Sequence, residues 1–339
     1  MRENFLSNCG KARTMGDRIR IVLVSDLHGS EIAYAKLTNI PKIYKADIVI
    51  LNGDLTGKAL MPIIKLKNGQ YTANVFGEVK TFDEKKLEEV IRDAKNSGYY
   101  PYVVDEDEYN ELLNNNSKVR ENLVKLMISS FDDWMRKVEE RYRQFNVKLF
   151  YFPGNDDPHE FVDHIKHIDN DTLIYGDEKI LEINKYVLLG FGYSNPTPWH
   201  TEREIPEDEI KRRLEKLFGN IEPSKMTRVL AAIHVPPYGT TIDLAPKLTP
   251  DLRPVTAGGE MVMDHAGSTA VREILEKYGP AIGLHGHIHE SPGIDYLQCK
   301  CGRKVPVVNA GSEYMVGALR LAYLIIEDGK LKDKIFVRG

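Results

Sequence analysis

Cysteine is scarce, at 3 in 339 residues, an odd number at low density. That excludes a disulfide framework as the source of stability and fits a reducing compartment. Cys299 and Cys301 are one residue apart and have no second pair, so a zinc ribbon is excluded and two thiols in a hairpin are expected. Long apolar runs are missing as well. No segment approaches the roughly 18–20 consecutive apolar residues of a membrane-spanning helix. The first residues carry Arg2, Lys11, Arg13 and Arg18 but no apolar stretch of signal-peptide length. A soluble, cytoplasmic protein without membrane contact is expected, with residues 1–18 as a disordered N-terminus. Charge of one sign is not in excess either, since 46 Lys and Arg stand against 50 Asp and Glu for a net charge of -4. Without a global basic field nucleic acid is not the default partner, although a local patch stays open. Neither a fixed-period repeat nor a low-complexity tract occurs.

What the chain does have is a series of short apolar runs, each ending in side chains that can bind metal. The first ends in Asp26-Leu27-His28, and Asp47 to Asn52 ends in Gly53-Asp54. Val147 to Phe152 leads into Pro153-Gly154-Asn155-Asp156, and Arg228 to Ile233 leads into His234. Ala281 to Leu284 brings His285 and then Gly286-His287-Ile288-His289. Runs this short, β-branched and bounded by Gly, Pro, Asn or Asp read as buried strands followed by tight loops. Carboxyl ends of strands in an open α/β sheet share one edge, so these distant positions can meet there.

Imidazoles mixed with a few carboxylates and one carboxamide favour borderline divalent ions over calcium or magnesium, which prefer all-oxygen shells. No cysteine belongs to the set, which argues against a structural zinc site. Seven candidate ligands are too many for one tetrahedral ion and about enough for two. A pair of ions roughly 3.5–4 Å apart can clamp a phosphoryl group.

The ordered series resembles the calcineurin-like metallophosphoesterase superfamily over its five ligand loops, from Asp26 to His289. The resemblance implies that Asp26, His28 and His289 hold one metal and Asn155, His234 and His287 the second, with Asp54 bridging. It also implies two divalent transition-metal ions, manganese first, with iron, zinc, nickel or cobalt as alternatives. The activity it implies is hydrolysis of a small phosphate ester by attack of metal-bound hydroxide in line with the leaving oxygen. Asn309-Ala310-Gly311-Ser312 is similar to the family's closing Asn-Pro-Gly-Ser turn, with Ala in place of Pro.

The chain also departs from the family. Many members carry His after the ligand Asn, beside the leaving-group oxygen; here the stretch is Gly154-Asn155-Asp156-Asp157. A carboxylate at Asp156 repels a dianionic monoester more than a singly charged diester, which favours a phosphodiester or nucleotide-type substrate. His159 is the candidate for the missing acid, against the plainer reading of a surface histidine. Two other functions stay open: a non-catalytic scaffold that binds a partner, and a nuclease of the same fold.

Between Asp54 and Asn155 lie 100 residues, far more than the roughly 30 of a strand-helix-strand unit. A mainly helical inserted subdomain is expected over residues 58–146. Its first helix is placed at Thr81 to Ser97, with Thr81 as N-cap, Glu84 completing a capping box and Gly98 as terminator. Tyr99, Tyr100, Tyr102 and Tyr109 read as core or as an aromatic wall. From Lys118 a longer helix is expected, with a stripe of Val119, Leu123, Leu126, Ser130, Trp134, Val138, Tyr142 and Phe145. That stripe would pack on the main domain, cap the metal site or form a homo-oligomer contact.

Further on, Ser268 is expected to cap a helix from Thr269 to Tyr278, and Leu319 to Val337 to form a strand, tight turn and strand. His164 and His167 read as a solvated helix face, and His200 and His265 as packed in their loops. With Tyr186 to Phe191 added, the strands are too many for one compact parallel sheet. The expected fold is an α/β, four-layer αββα sandwich of two packed mixed sheets flanked by helices, which is also the architecture the resemblance implies; residues 19–339 form the domain.

Overall fold

The computed structural model describes residues 17–339, so the expected disorder at residues 1–16 lies outside the described part. Arg18 already opens the first strand. In chain order the structure begins with β1 (Arg18–Val24), α1 (Glu31–Ile43) and β2 (Ile48–Asn52). The stretch that follows β2 holds β3 (Ala59–Lys65), β4 (Tyr71–Val75), β5 (Glu78–Phe82), α2 (Leu87–Asn96), β6 (Tyr99–Asp105), α3 (Glu106–Asn114) and α4 (Asn116–Phe145). The main domain resumes with β7 (Lys148–Phe152), α5 (His159–Ile165), β8 (Leu173–Tyr175), β9 (Ile180–Ile183), β10 (Tyr186–Phe191), α6 (Glu207–Gly219) and β11 (Val229–Ile233). Four short strands follow, β12 (Leu244–Pro246), β13 (Thr256–Ala257), β14 (Glu260–Met261) and β15 (Met263–His265). The chain closes with α7 (Thr269–Tyr278), β16 (Ile282–His285), β17 (Gly293–Gln298), β18 (Lys304–Asn309), β19 (Arg320–Glu327) and β20 (Lys330–Arg338).

The main strands form two six-stranded sheets, ordered β20-β19-β1-β2-β7-β8 and β17-β18-β16-β11-β10-β9. Side-chain alternation explains why they stack. In β1, Ile19, Ile21 and Leu23 enter a core shared with Leu188, Leu230 and Leu284 of the other sheet. Val22 and Val24, pointing the opposite way, pack against Tyr34 and Leu37 of α1 and Phe131 and Val138 of α4. In the second sheet Leu189, Phe191, Ala231 and Ile233 face Ile210, Leu214 and Phe218 of α6 and Ile274 of α7. Strands apolar on both faces must be covered on both. The result is helix, sheet, sheet, helix, the expected αββα sandwich.

Several local expectations are met. Ser268 Oγ accepts from the Val271 amide at 3.1 Å, and α7 ends in left-handed Gly279. Asp328 and Gly329, both with positive φ, turn β19 into β20.

The inserted region needs correction. Its helices are present, but β5-β4-β3-β6 form a four-stranded sheet that was not expected. Thr81 lies inside β5 and caps nothing; a 3-10 turn at Glu84–Lys86 leads into α2. Strand pairing of β5 with β4 outcompeted the capping motif, because it buries Phe82 against Tyr71 in the small core that α2 covers. The stripe of α4 is also shifted. Val124, Met127, Phe131, Met135, Val138 and Tyr142 are buried, while Phe145 is exposed and Leu123, Leu126 and Trp134 are only partly covered. Apolar residues sit side by side at 123/124, 126/127 and 134/135, so periodicity alone could not choose between two stripes; packing against α1 did. Of the alternatives for this helix, packing on the main domain is the one observed.

The expected cysteine hairpin is present: Cys299 and Cys301 face each other in the turn between β17 and β18, with Cα atoms 5.1 Å apart, a separation a disulfide can span.

Candidate metal centre

The parallel neighbours β1, β2 and β7 in one sheet, and β11 and β16 in the other, end at a common edge. Their loops interlock through backbone bonds: the amides of Asp26 and His28 donate to the carbonyls of Gly53 and Asp54, at 3.0 and 2.9 Å. Asp26, His28, Asp54 and His287 all have positive φ, between 43° and 66°. Non-glycine residues rarely adopt this conformation, and where they cluster the surrounding structure holds them against a cost of about 1–3 kcal/mol each.

Part of that holding comes from Asp157. Its buried carboxylate accepts from the amides of Leu55, Thr56 and Gly154, at 3.0, 2.9 and 2.8 Å, tying the Asp54 loop to the Asn155 loop. Burial and the nearby Asp54 charge push the Asp157 carboxyl up to about 6, and the amides pull against them. Arg203, buried with it, donates to the Gly154 carbonyl at 2.9 Å and to Asp177 at 2.6 Å. The expected Asn309–Ser312 turn closes the edge, with Asn309 donating to the Ile288 carbonyl at 2.7 Å and Ser312 to that of Asp26 at 2.7 Å.

Two groups of side chains result. Asp26, His28 and His289 offer ligand atoms that all lie within 4.8 Å of one another, and so do Asp54, His234 and His287. Asn155 joins the second group, its Oδ1 lying 3.1 Å from His234 Nε2. Asp54 faces both, with Oδ2 3.5 Å from His28 Nε2 and Oδ1 3.5 Å from His234 Nε2. Nε2 atoms of His28 and His289 approach to 3.2 Å. Nitrogens converging this closely, with carboxylates around them, fit a set of donors for divalent cations. All seven sequence-derived ligand candidates are therefore brought together.

Electrostatics divides the histidine donors into two that are held neutral, His28 and His287, and two whose protonation the neighbouring carboxylates favour, His234 and His289. Burial drives the His28 and His287 imidazoles down, to about 3 and about 4, so both are neutral near pH 7. Burial alone would raise the Asp54 carboxyl, but His234, His28 and His287 hold it well below the usual carboxylate range. His234 is buried too, which opposes its charge, yet Asp54 and Asp26 outweigh that and raise it to about 9.

Asp156 and His159 part ways. Asp156 lies at the centre, 3.8 Å from His28 Nδ1, and its carboxylate pairs with Lys58 Nζ at 2.8 Å. His159 is exposed at the start of α5, where its amide donates to Glu202, and it does not line the cavity above the ligands. The expected leaving-group acid is not brought to the centre. That cavity, about 750 Å³, is bounded by Asp54, Asn155, His287 and His289 on one side and by Trp199, Tyr238, Pro246 and Leu248 on the other. His265 also lines it, bonded to Asp243 at 2.8 Å but exposed rather than packed. His200 is exposed in its loop, and His164 pairs with Asp132 at 2.9 Å.

Sequence reading missed Lys58, Arg203 and Tyr314, whose ring centroid lies 4.6 Å from that of His28. No local pattern marks any of them. Asp157 stands within the Gly154–Asp157 stretch, but its tie between the two loops is visible only in the fold.

An αββα sandwich with His, Asp and Asn side chains gathered at the strand ends defines a candidate metal-binding site. The profile of the calcineurin-like phosphoesterase family matches residues 19–291, and the chain belongs to that family. It is 29% identical over 184 residues to the uncharacterized protein MJ1162 of Methanocaldococcus jannaschii, covering 54% of this chain and 72% of that protein. One solved crystal structure aligns over 93% of this chain and 98% of its own, with 18% identity and a TM-score of 0.56. TT1561 of Thermus thermophilus aligns over 95% and 98%, with 14% identity and a TM-score of 0.48. Among the described residues no helix is long and apolar enough to cross a membrane.

Proposed function

We propose that the protein is a dinuclear-metal-dependent hydrolase of phosphate esters that favours a phosphodiester or nucleotide-type substrate. The observation that carries the reading is Asp54, whose two carboxylate oxygens each lie 3.5 Å from a histidine of a different donor group. In this reading Asp26, His28 and His289 hold one ion, Asn155, His234 and His287 the other, and Asp54 both, with manganese the first candidate. Bound there, two divalent ions supply Lewis acidity toward a phosphoryl oxygen and activate water near neutral pH.

Support for a diester comes from the cavity wall. Trp199 is 62% exposed and Tyr238 41% exposed, and both line the cavity with Pro196, Pro198, Pro246 and Leu248. Large aromatic and apolar surface beside a phosphate site suits an ester group carrying a base or another organic substituent. A nuclease is disfavoured, because among the described residues Lys58 is the one lysine or arginine lining this cavity, and a nucleic-acid groove needs more basic charge.

The test is reconstitution with manganese, an ion count by mass spectrometry, and kcat/KM for matched chromogenic mono- and diesters, cyclic nucleotides and oligonucleotides. Two ions per chain with higher kcat/KM on diesters are expected. One ion or none, or no turnover on any phosphate ester, would overturn the reading.

A further inference from the structure

Lys58 stands where the chain leaves the Asp54 loop for the inserted sheet, one residue before β3. Its side chain turns back toward the ligand groups, where Nζ lies 2.8 Å from Asp156 Oδ2. Asp156 in turn reaches to within 3.8 Å of His28 Nδ1. Lys58 and Asp156 line the same cavity as Asp54, Asn155, His287 and His289. The cavity's other charged side chains are carboxylates, Glu207 and Glu290.

We propose that Lys58 is the cation that binds the phosphoryl group of the substrate, and that Asp156 is the positioning residue that holds its ammonium over the metal centre. This rests on the phosphoesterase reading for the identity of the ligand. Three features support it. The Lys58 side chain is 54% exposed and lines the cavity beside the ligand groups. Lysine binds phosphate as a compact charge with three donors, of which Asp156 occupies one. With its charge matched by Lys58, Asp156 no longer presents a bare carboxylate to an incoming anion, so the position that departs from the family pattern becomes part of an anion site.

His28, Asp54 and Asp156 also have ligand atoms within 4.8 Å of one another, a grouping that could instead make Asp156 a metal ligand. The ammonium at 2.8 Å competes for that carboxylate, and the test separates the two. Full-length protein loaded with manganese is titrated calorimetrically with inorganic phosphate, and its metal content is measured, for the wild type, Lys58→Met, Lys58→Arg and the double variant Lys58→Met/Asp156→Asn. Loss of one charge-assisted hydrogen bond corresponds to a roughly 10- to 100-fold weaker phosphate affinity, and that is expected for Lys58→Met with metal content unchanged. Lys58→Arg should retain most of the affinity. The double variant should recover part of it, because it removes the carboxylate left facing the anion. Wherever esters are turned over, Lys58→Met should also lose more kcat/KM on a dianionic monoester than on a diester. Wild-type phosphate affinity in Lys58→Met, no phosphate binding by the wild type, or bound metal that is kept in Lys58→Met but lost in the double variant would overturn the proposal. Phosphate binding that depends on Lys58 in a protein that hydrolyses no ester would sustain it and refute the phosphoesterase reading alone.

Discussion

Nδ1 of His234 lies 2.9 Å from the carbonyl oxygen of Asn52, the last residue of β2. A ring N–H donated there orients the imidazole and turns Nε2 toward Asp54 and Asn155, a bond of the kind that orients metal-bound histidines. The contact depends on the next residue. Gly53 has φ +94°, and a Cβ there would come within 2.0 Å of the His234 ring. Gly53→Ala is expected to displace the imidazole and lower affinity for the second ion by roughly 10- to 100-fold, the usual cost of losing such an orienting bond. Metal titration of the variant checks this; wild-type affinity would contradict it.

Asp54→Ala removes a carboxylate whose two oxygens each face a different donor group. The folded core should survive, since Asp54 sits in a loop at the sheet edge, but turnover should fall by more than the roughly 100-fold typical of losing a group that only orients a ligand. Circular dichroism, ion counting and kcat/KM together decide it. Full activity in this variant would refute the ligand assignment.

Arg203 and Asp177 form a buried pair, with side chains 2% and 5% exposed and 2.6 Å apart. Truncating the arginine strands a buried carboxylate and frees the Gly154 carbonyl beside Asn155. Arg203→Ala should cost about 3–5 kcal/mol of stability, and Arg203→Met/Asp177→Asn clearly less, because no unpaired charge remains. Denaturant unfolding of both variants measures the difference; equal losses would mean that the charge is not what matters.

The long helix α4 contributes Phe131, 3% exposed, to the core between the first sheet and its helices. Phe131→Ala should therefore destabilise the whole domain by about 3–5 kcal/mol. If urea unfolding instead showed a separate early transition with the main transition unchanged, residues 58–146 would be an independent unit. Limited proteolysis of the wild type should likewise spare this segment.

The convergence of the candidate ligands was legible in the sequence because each follows a short apolar run directly, and the rule that strand ends share an edge does the rest. Asp26, His28, Asp54, Asn155, His234, His287 and His289 were all found this way. The αββα layering was legible too, in strands apolar on both faces. Register and partner choice were not. Thr81 carried a correct capping pattern but was claimed by β5, since pairing with β4 buries Phe82. On α4 two apolar stripes were equally periodic until α1 selected one. Lys58 and Asp156 are separated by 98 positions, and no local pattern joins them. Each such case turns on a contact between residues far apart in the chain. Local sequence determined which side chains could bind metal and which strands had to be buried on both faces; only tertiary packing decided which cation faces that metal centre, because a side chain's electrostatic partner is set by where the backbone returns.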